Sequence, residues 1–238
     1  MTSLNRILMA DGSEFALSEW LHQPVWSTIE FASTAPVNLR AFNYRAGQNV
    51  SSSGLPRRIA TGMDTNLVRQ RAMNQDEALL CFGITVEFFS MANITYETEG
   101  PVTNTVTPAP ALSATDLRRL QRDLMLEIFV GAGLKKPQFD APLGYYGSSM
   151  GISAAASGDS NATTLLNLDH GTAGRASATN QQQLTMPLYI GGFGDNAMPG
   201  NAMTFFAKIY NAYGGAIAGL RQSVRMRVVC DGLKKRPA

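Results

Sequence analysis

Charge is scarce in this chain of 238 residues. Only 16% of positions are Asp, Glu, Lys or Arg, against roughly 25% in ordinary soluble domains. The formal net charge of +2 is too weak for a dedicated nucleic-acid binder. Histidine occurs twice, as His22 and His170, so no metal site built on several histidines is expected. Cysteine also occurs twice, as Cys81 and Cys230, each inside an apolar, strand-like run. No metal-ligand spacing results. Two buried free thiols fit this pattern, and so does a disulfide if the strands are neighbours.

Long apolar runs are missing too. The longest, Ala212 to Leu220, has nine residues and three glycines, far short of the ~20 residues of a membrane-spanning helix. Met1 to Asp11 lacks the apolar core of a signal peptide, so synthesis in a cytosol is expected. With 45% hydrophobic residues, the chain is not of the disordered class. Its 22 glycines follow no three-residue period, which excludes a collagen.

What is present points to contact surfaces. Asn and Gln, with 14 and 10 copies, partly replace charge. A surface so poor in charge suits a protein covered by neighbours. Arg outnumbers Lys 15 to 5; Arg is the better interface residue, although codon bias in a GC-rich genome gives the same ratio. Trp20 and Trp26 flank Pro24 and serve either as core or as interface anchors. The densest basic cluster is Lys234, Lys235 and Arg236, either a solvated tail or a weak contact with phosphate or lipid headgroups.

The patterning is mostly β. Asp11 followed by Glu14 resembles a capped helix start, with Leu17, Trp20 and Leu21 on one face and Pro24 ending it. Strands are expected at Trp26 to Phe31, Val37 to Tyr44 and Ala78 to Phe89. Ala46 to Met63, Glu99 to Leu112, Gly147 to Gly158 and Gly171 to Gln183 read as loops. Leu117, Leu120 and Leu124 recur at helical spacing, whereas Leu126, Ile128 and Val130 alternate. This predicts a helix from Ser113 to about Leu124 and then a strand to Val130. Alternation returns at Leu184 to Ile190, where Pro187 implies an edge strand, and again at Phe205 to Tyr210 and Val224 to Val228. No βαβ alternation occurs. An antiparallel sandwich fits best.

No catalytic motif holds. Gly147-Ser148-Ser149-Met150-Gly151 matches the nucleophile elbow of serine hydrolases. However, Ser149, Asp169 and His170 fall within 22 residues, too close for the intervening strands and helices. Gly191 to Asp195 lacks the Lys-Ser/Thr ending of a phosphate loop. No cofactor or metal is expected.

Two phrases carry a resemblance. One is Asp64-Thr65-Asn66-Leu67 leading to the strand Leu79 to Phe89. The other is Met186-Pro187-Leu188-Tyr189-Ile190, with its loop to Met203 and the strand Thr204 to Tyr210. Together with the scarce charge and long loops, they make the chain similar to jelly-roll coat proteins of tailless icosahedral viruses and phages. The resemblance implies an all-β, mainly antiparallel, jelly-roll-like sandwich with one or two short helices. Residues 1–25 would form an arm with a short helix, and 26–238 the sandwich, with a helix inserted near 113–125. It further implies a non-enzymatic subunit, made in the host cytoplasm, that assembles into a trimer or larger shell of the virion. Its partners would be its own copies and other virion proteins, with weak lipid or nucleic-acid contact through the basic tail. A non-catalytic lectin-like or adhesin-like module is the alternative, and a hydrolase using Ser149 the third.

Overall fold

The computed structural model describes residues 6–8, 14–16, 20–73, 77–90, 114–131, 136–146, 182–191 and 204–235. Its twelve strands are β1 (Arg6–Leu8), β2 (Glu14–Ala16), β3 (Trp20–His22), β4 (Val25–Phe31), β5 (Asn38–Ala41), β6 (Ser51–Ser53), β7 (Ala78–Ser90), β8 (Leu124–Val130), β9 (Phe139–Pro142), β10 (Gln182–Gly191), β11 (Phe205–Asn211) and β12 (Val224–Lys235). One α-helix, α1 (Ala114–Asp123), immediately precedes β8.

Eight of these strands pair as nested hairpins: β8 with β9, β7 with β10, β5 with β11, and β4 with β12. Rolling this long hairpin adds contacts of β12 with β7 and of β11 with β8. The result is two sheets, β10-β7-β12-β4 and β5-β11-β8-β9. This strand order is the jelly roll, as the resemblance implies. Short β6 extends the first sheet by a parallel pairing with β4, and β3 pairs β12 beyond the end of β4. β1 and β2 pair with each other as a separate ribbon.

The core lies between the sheets, where alternate residues of each strand turn inward. β4 supplies Val25, Ile29 and Phe31; β12 supplies Val224, Met226, Val228 and Cys230; β8 supplies Leu124, Leu126 and Ile128. Burying each large aliphatic side chain contributes about 2 kcal/mol or more. The helix adds Leu117 and Leu120 from its inner face. It has Asp116 in its first turn and Arg122 in its last, the favourable order for its dipole. It ends where the period changes from helical spacing to the strict alternation of β8.

The eight strands of the roll end alternately at two rims. At one rim, Ala212 N–H donates to Asp123 O at 2.9 Å and Val37 N–H to Gly215 O at 3.1 Å. At the other, Arg71 N–H donates to Phe42 O at 3.0 Å and Phe205 N–H to Arg71 O at 2.8 Å. The long connection from β5 to β7 occupies that second rim and also covers the outside of β4.

Three expectations are corrected. Residues 14–16 and 20–22 are strands rather than parts of an N-terminal helix. Trp20 is buried while Leu21 is 41% exposed, the alternation of a strand, and both pair with the end of β12. Ser51–Ser53, inside the expected loop, forms β6. Lys234 and Lys235 lie within β12 instead of in a solvated tail, because pairing with β7 continues past a bulge at Asp231-Gly232. The expected edge strand is confirmed: β10 ends its sheet, with Pro187 inside a register irregularity. The loops at 99–112 and 147–158, together with Ser149 and His170, lie outside the described residues.

Candidate functional site

The outer face of β4 carries the strongest electrostatics. Glu30 points away from the core, yet its side chain is only 2% exposed, because the segment from Gly54 to Met73 lies over it. Arg58 from that segment donates from Nε to both Glu30 oxygens at 3.0 and 3.1 Å. Arg225, directly opposite on β12, donates from Nε to Glu30 Oε1 at 2.7 Å. The Arg58 fork also grips Asp64, with Nη1 to Oδ2 at 2.8 Å and Nη2 to Oδ1 at 2.6 Å. One rung along, Arg227 meets Glu87 at 3.3 Å and donates to Met63 O at 2.9 Å.

These charges offset one another. Arg58, Arg225 and Arg227 balance Glu30, Asp64 and Glu87, and the layer has no net charge. Hydrogen bonds from Arg58 to Asp64 and Glu30 push the guanidinium pKa up. Burial alone would raise the Asp64 carboxyl, but Arg58 and the Thr61 amide and hydroxyl overcome it and bring it down to about 2. Nearby, burial raises Tyr44, whose hydroxyl donates to Thr28 O. A balanced layer of this kind fastens the segment to the sheet.

Its pH dependence follows. A carboxyl lowered from 3.8 to about 2 stabilises the fold fully above its unfolded pKa and loses that effect as pH falls through the folded value. Between about pH 6 and pH 2, the stability difference between wild type and Asp64→Asn shrinks by about 2 kcal/mol. Urea unfolding of both proteins across this range measures it. A constant difference would show that Asp64 is not held by these bonds.

Beside this layer runs an open polar groove of about 590 Å³, within the size range of small-ligand sites. Asn43, Gln48, Asn49, Ser51, Ser52, Arg57, Ile59 and Gln70 are among the residues that line it. Two residues at its margin have unusual backbones: Phe42 at φ 61° and Arg71 at φ 57°. Left-handed geometry costs a bulky residue about 1–2 kcal/mol. The bond between Arg71 N–H and Phe42 O joins the two, so Asn43 and Gln70, the neighbours in sequence, are held on a constrained frame. A second hollow of about 370 Å³ lies beyond Tyr44, lined by Arg45, Thr65, Asn66 and Val68 among others.

The residues singled out from sequence do not come together. Trp20 is buried with Ala78, Leu80, Tyr189 and Leu233 in a small cluster apart from the main core. Trp26 is half-buried, its amide N–H bonded to Asn66 Oδ1 at 3.0 Å. Lys234 pairs with Glu77 at 3.1 Å, both side chains largely buried. Lys235 is half-buried, and Arg236 is outside the described residues. His22 meets Asp231 at 2.9 Å on the surface. Cys81 and Cys230 are free, buried thiols on adjacent strands. Their mutual hydrogen bond, reinforced by burial, raises Cys230 well above the ordinary thiol range. Among the described residues, no group of three or more His, Cys, Asp or Glu could hold a metal.

Sequence reasoning missed the groove. A signal was present: residues 32–73 hold six arginines and a single acid, Asp64. Averaging charge over the whole chain hid it. No family model matches the chain, and comparisons with curated proteins and solved structures find no match either.

Proposed function

We propose that this protein is the repeating subunit of a self-assembling shell of the kind that encloses a virus or phage genome. The observation that carries the proposal is the nested strand order, a rigid roll whose strand ends gather at two rims, one of them holding α1. Such a rim offers each subunit an extended surface for heterologous, ring-closing contacts.

Charge supports the same reading. The acids Glu30, Asp64, Glu77, Glu87, Asp116, Asp123 and Glu127 are all engaged in ion pairs. Much of the acidic charge among the described residues is thus engaged within the subunit, and less of it remains to keep copies apart. The fold itself is shared by unrelated functions, so assembly is the property to test. Light scattering and negative-stain images of purified protein are expected to show trimers, rings or closed shells. A monomer at every concentration, with or without crowding salts, would overturn the proposal.

A further inference from the structure

We propose that the groove between Asn43 and Gln70 is a binding site for an acidic saccharide, a ligand with anionic oxygens on polyhydroxylated rings. Hydrogen-bond direction orients two of its carboxamides. Arg71 Nε–H donates to Asn43 Oδ1, and Arg45 N–H donates to Gln48 Oε1 at 3.0 Å. Both donors carry only hydrogens, so each must face the oxygen of its carboxamide. The Asn43 and Gln48 NH₂ groups are left for the groove they line.

Arg57 adds an exposed guanidinium, and no acidic side chain lines the groove. The lining is therefore rich in donors and positive, which favours oxygen acceptors bearing negative charge. Gln70, Asn49, Ser51 and Ser52 add groups that can donate or accept, the complement of ring hydroxyls. Ile59, 65% exposed, offers an apolar surface to the C–H face of a sugar ring. A nucleic-acid strand fits less well: Tyr44 is the one aromatic in the lining and is only 3% exposed, so no platform for base stacking exists. The strained, hydrogen-bonded pair Phe42 and Arg71 holds the donors in place before a ligand arrives, which reduces the ordering cost of binding. Binding in the groove does not depend on assembly.

The test is calorimetric titration of the full chain, in whatever assembly it adopts. The probes are a heparin-derived oligosaccharide, a sialylated oligosaccharide, a neutral oligosaccharide and a single-stranded DNA oligonucleotide. Saturable binding of the sulfated or the sialylated probe is expected, at least about tenfold tighter than the neutral one; the stronger of the two identifies sulfate or carboxylate as the anion. Arg57→Gln is expected to weaken it by about tenfold, and Gln70→Ala by less. Arg221→Gln, an exposed arginine outside the groove lining, should leave it unchanged. All three variants alter accessible side chains, and their melting curves establish folding. Absence of saturable saccharide binding, tighter binding of the oligonucleotide, or equal loss in Arg57→Gln and Arg221→Gln would each overturn the proposal.

Discussion

Replacing Glu30 with alanine is expected to lower the unfolding free energy by about 3 kcal/mol. Glu30 is the hinge of the outer layer, since it joins Arg58 of the covering segment to Arg225 of β12. Removing it does more than delete two ion pairs. It leaves two guanidinium groups side by side with no carboxylate between them, and Asp64 cannot serve both. Arg58 and Arg225 are 32% and 37% exposed, so water relieves part of this repulsion. The effect therefore falls at the lower end of the range for breaking a buried pair. Glu30→Gln keeps the volume and one acceptor and should cost about half as much. Equilibrium urea unfolding near neutral pH provides the measurement, with Arg225→Ala and the double variant completing a cycle. A coupling of about 1 kcal/mol or more is expected. If Glu30→Ala stays within about 0.5 kcal/mol of wild type, the layer is no more than a surface ion pair. The covering segment would then be held by its backbone bonds alone, such as Thr28 N–H to Asp64 O at 2.8 Å.

The strands most legible in the sequence are those whose two faces differ. β12 alternates Val224, Met226 and Val228 with Arg225 and Arg227, and the structure buries the first set and places the second in the ion-pair layer. The change from helix to strand at Leu124 was equally readable, because its leucines first follow a period of three to four and then of two. Partner choice was not: β4 and β12 pair across some 200 residues of chain, Phe31 with Val224, and no local pattern records such a contact. β6 was hidden because Ser51, Ser52 and Ser53 have no apolar alternation; a parallel partner, not side-chain burial, makes them a strand. The false N-terminal helix arose from the spacing of Leu17, Trp20 and Leu21, which suits a helical face until tertiary pairing with Leu233 to Lys235 decides otherwise. The groove belongs to the same class. Its donors come from positions 43 to 70, and the freedom of their NH₂ groups depends on which oxygens Arg45 and Arg71 occupy.

Gly232 marks a close approach that no local pattern records. β12 continues past Asp231-Gly232 to Lys235 across a register shift, with Gly232 facing Cys81. A Cβ at position 232 would lie 2.1 Å from Leu80 O and 2.9 Å from Cys81 Cα. Both atoms are backbone, in a strand paired on its other side by β10, so neither can move without disturbing the ladder. Gly232→Ala is therefore expected to cost about 3 kcal/mol, the upper end of the overpacking range. The damage should be local in the first instance. Beyond Cys230, β12 would separate from β7, and the cluster of Trp20, Leu80 and Leu233 would open to water. Trp fluorescence would shift to the red, and amide exchange would quicken at Leu79 and Leu233 to Lys235. The thiols of Cys81 and Cys230, both 1% exposed or less, would react with a thiol reagent much faster than in the native protein. A variant that melts like wild type and keeps both thiols protected would show that the bulge can absorb a methyl group. In that case the glycine would be retained for the shape of the bulge and not for want of space.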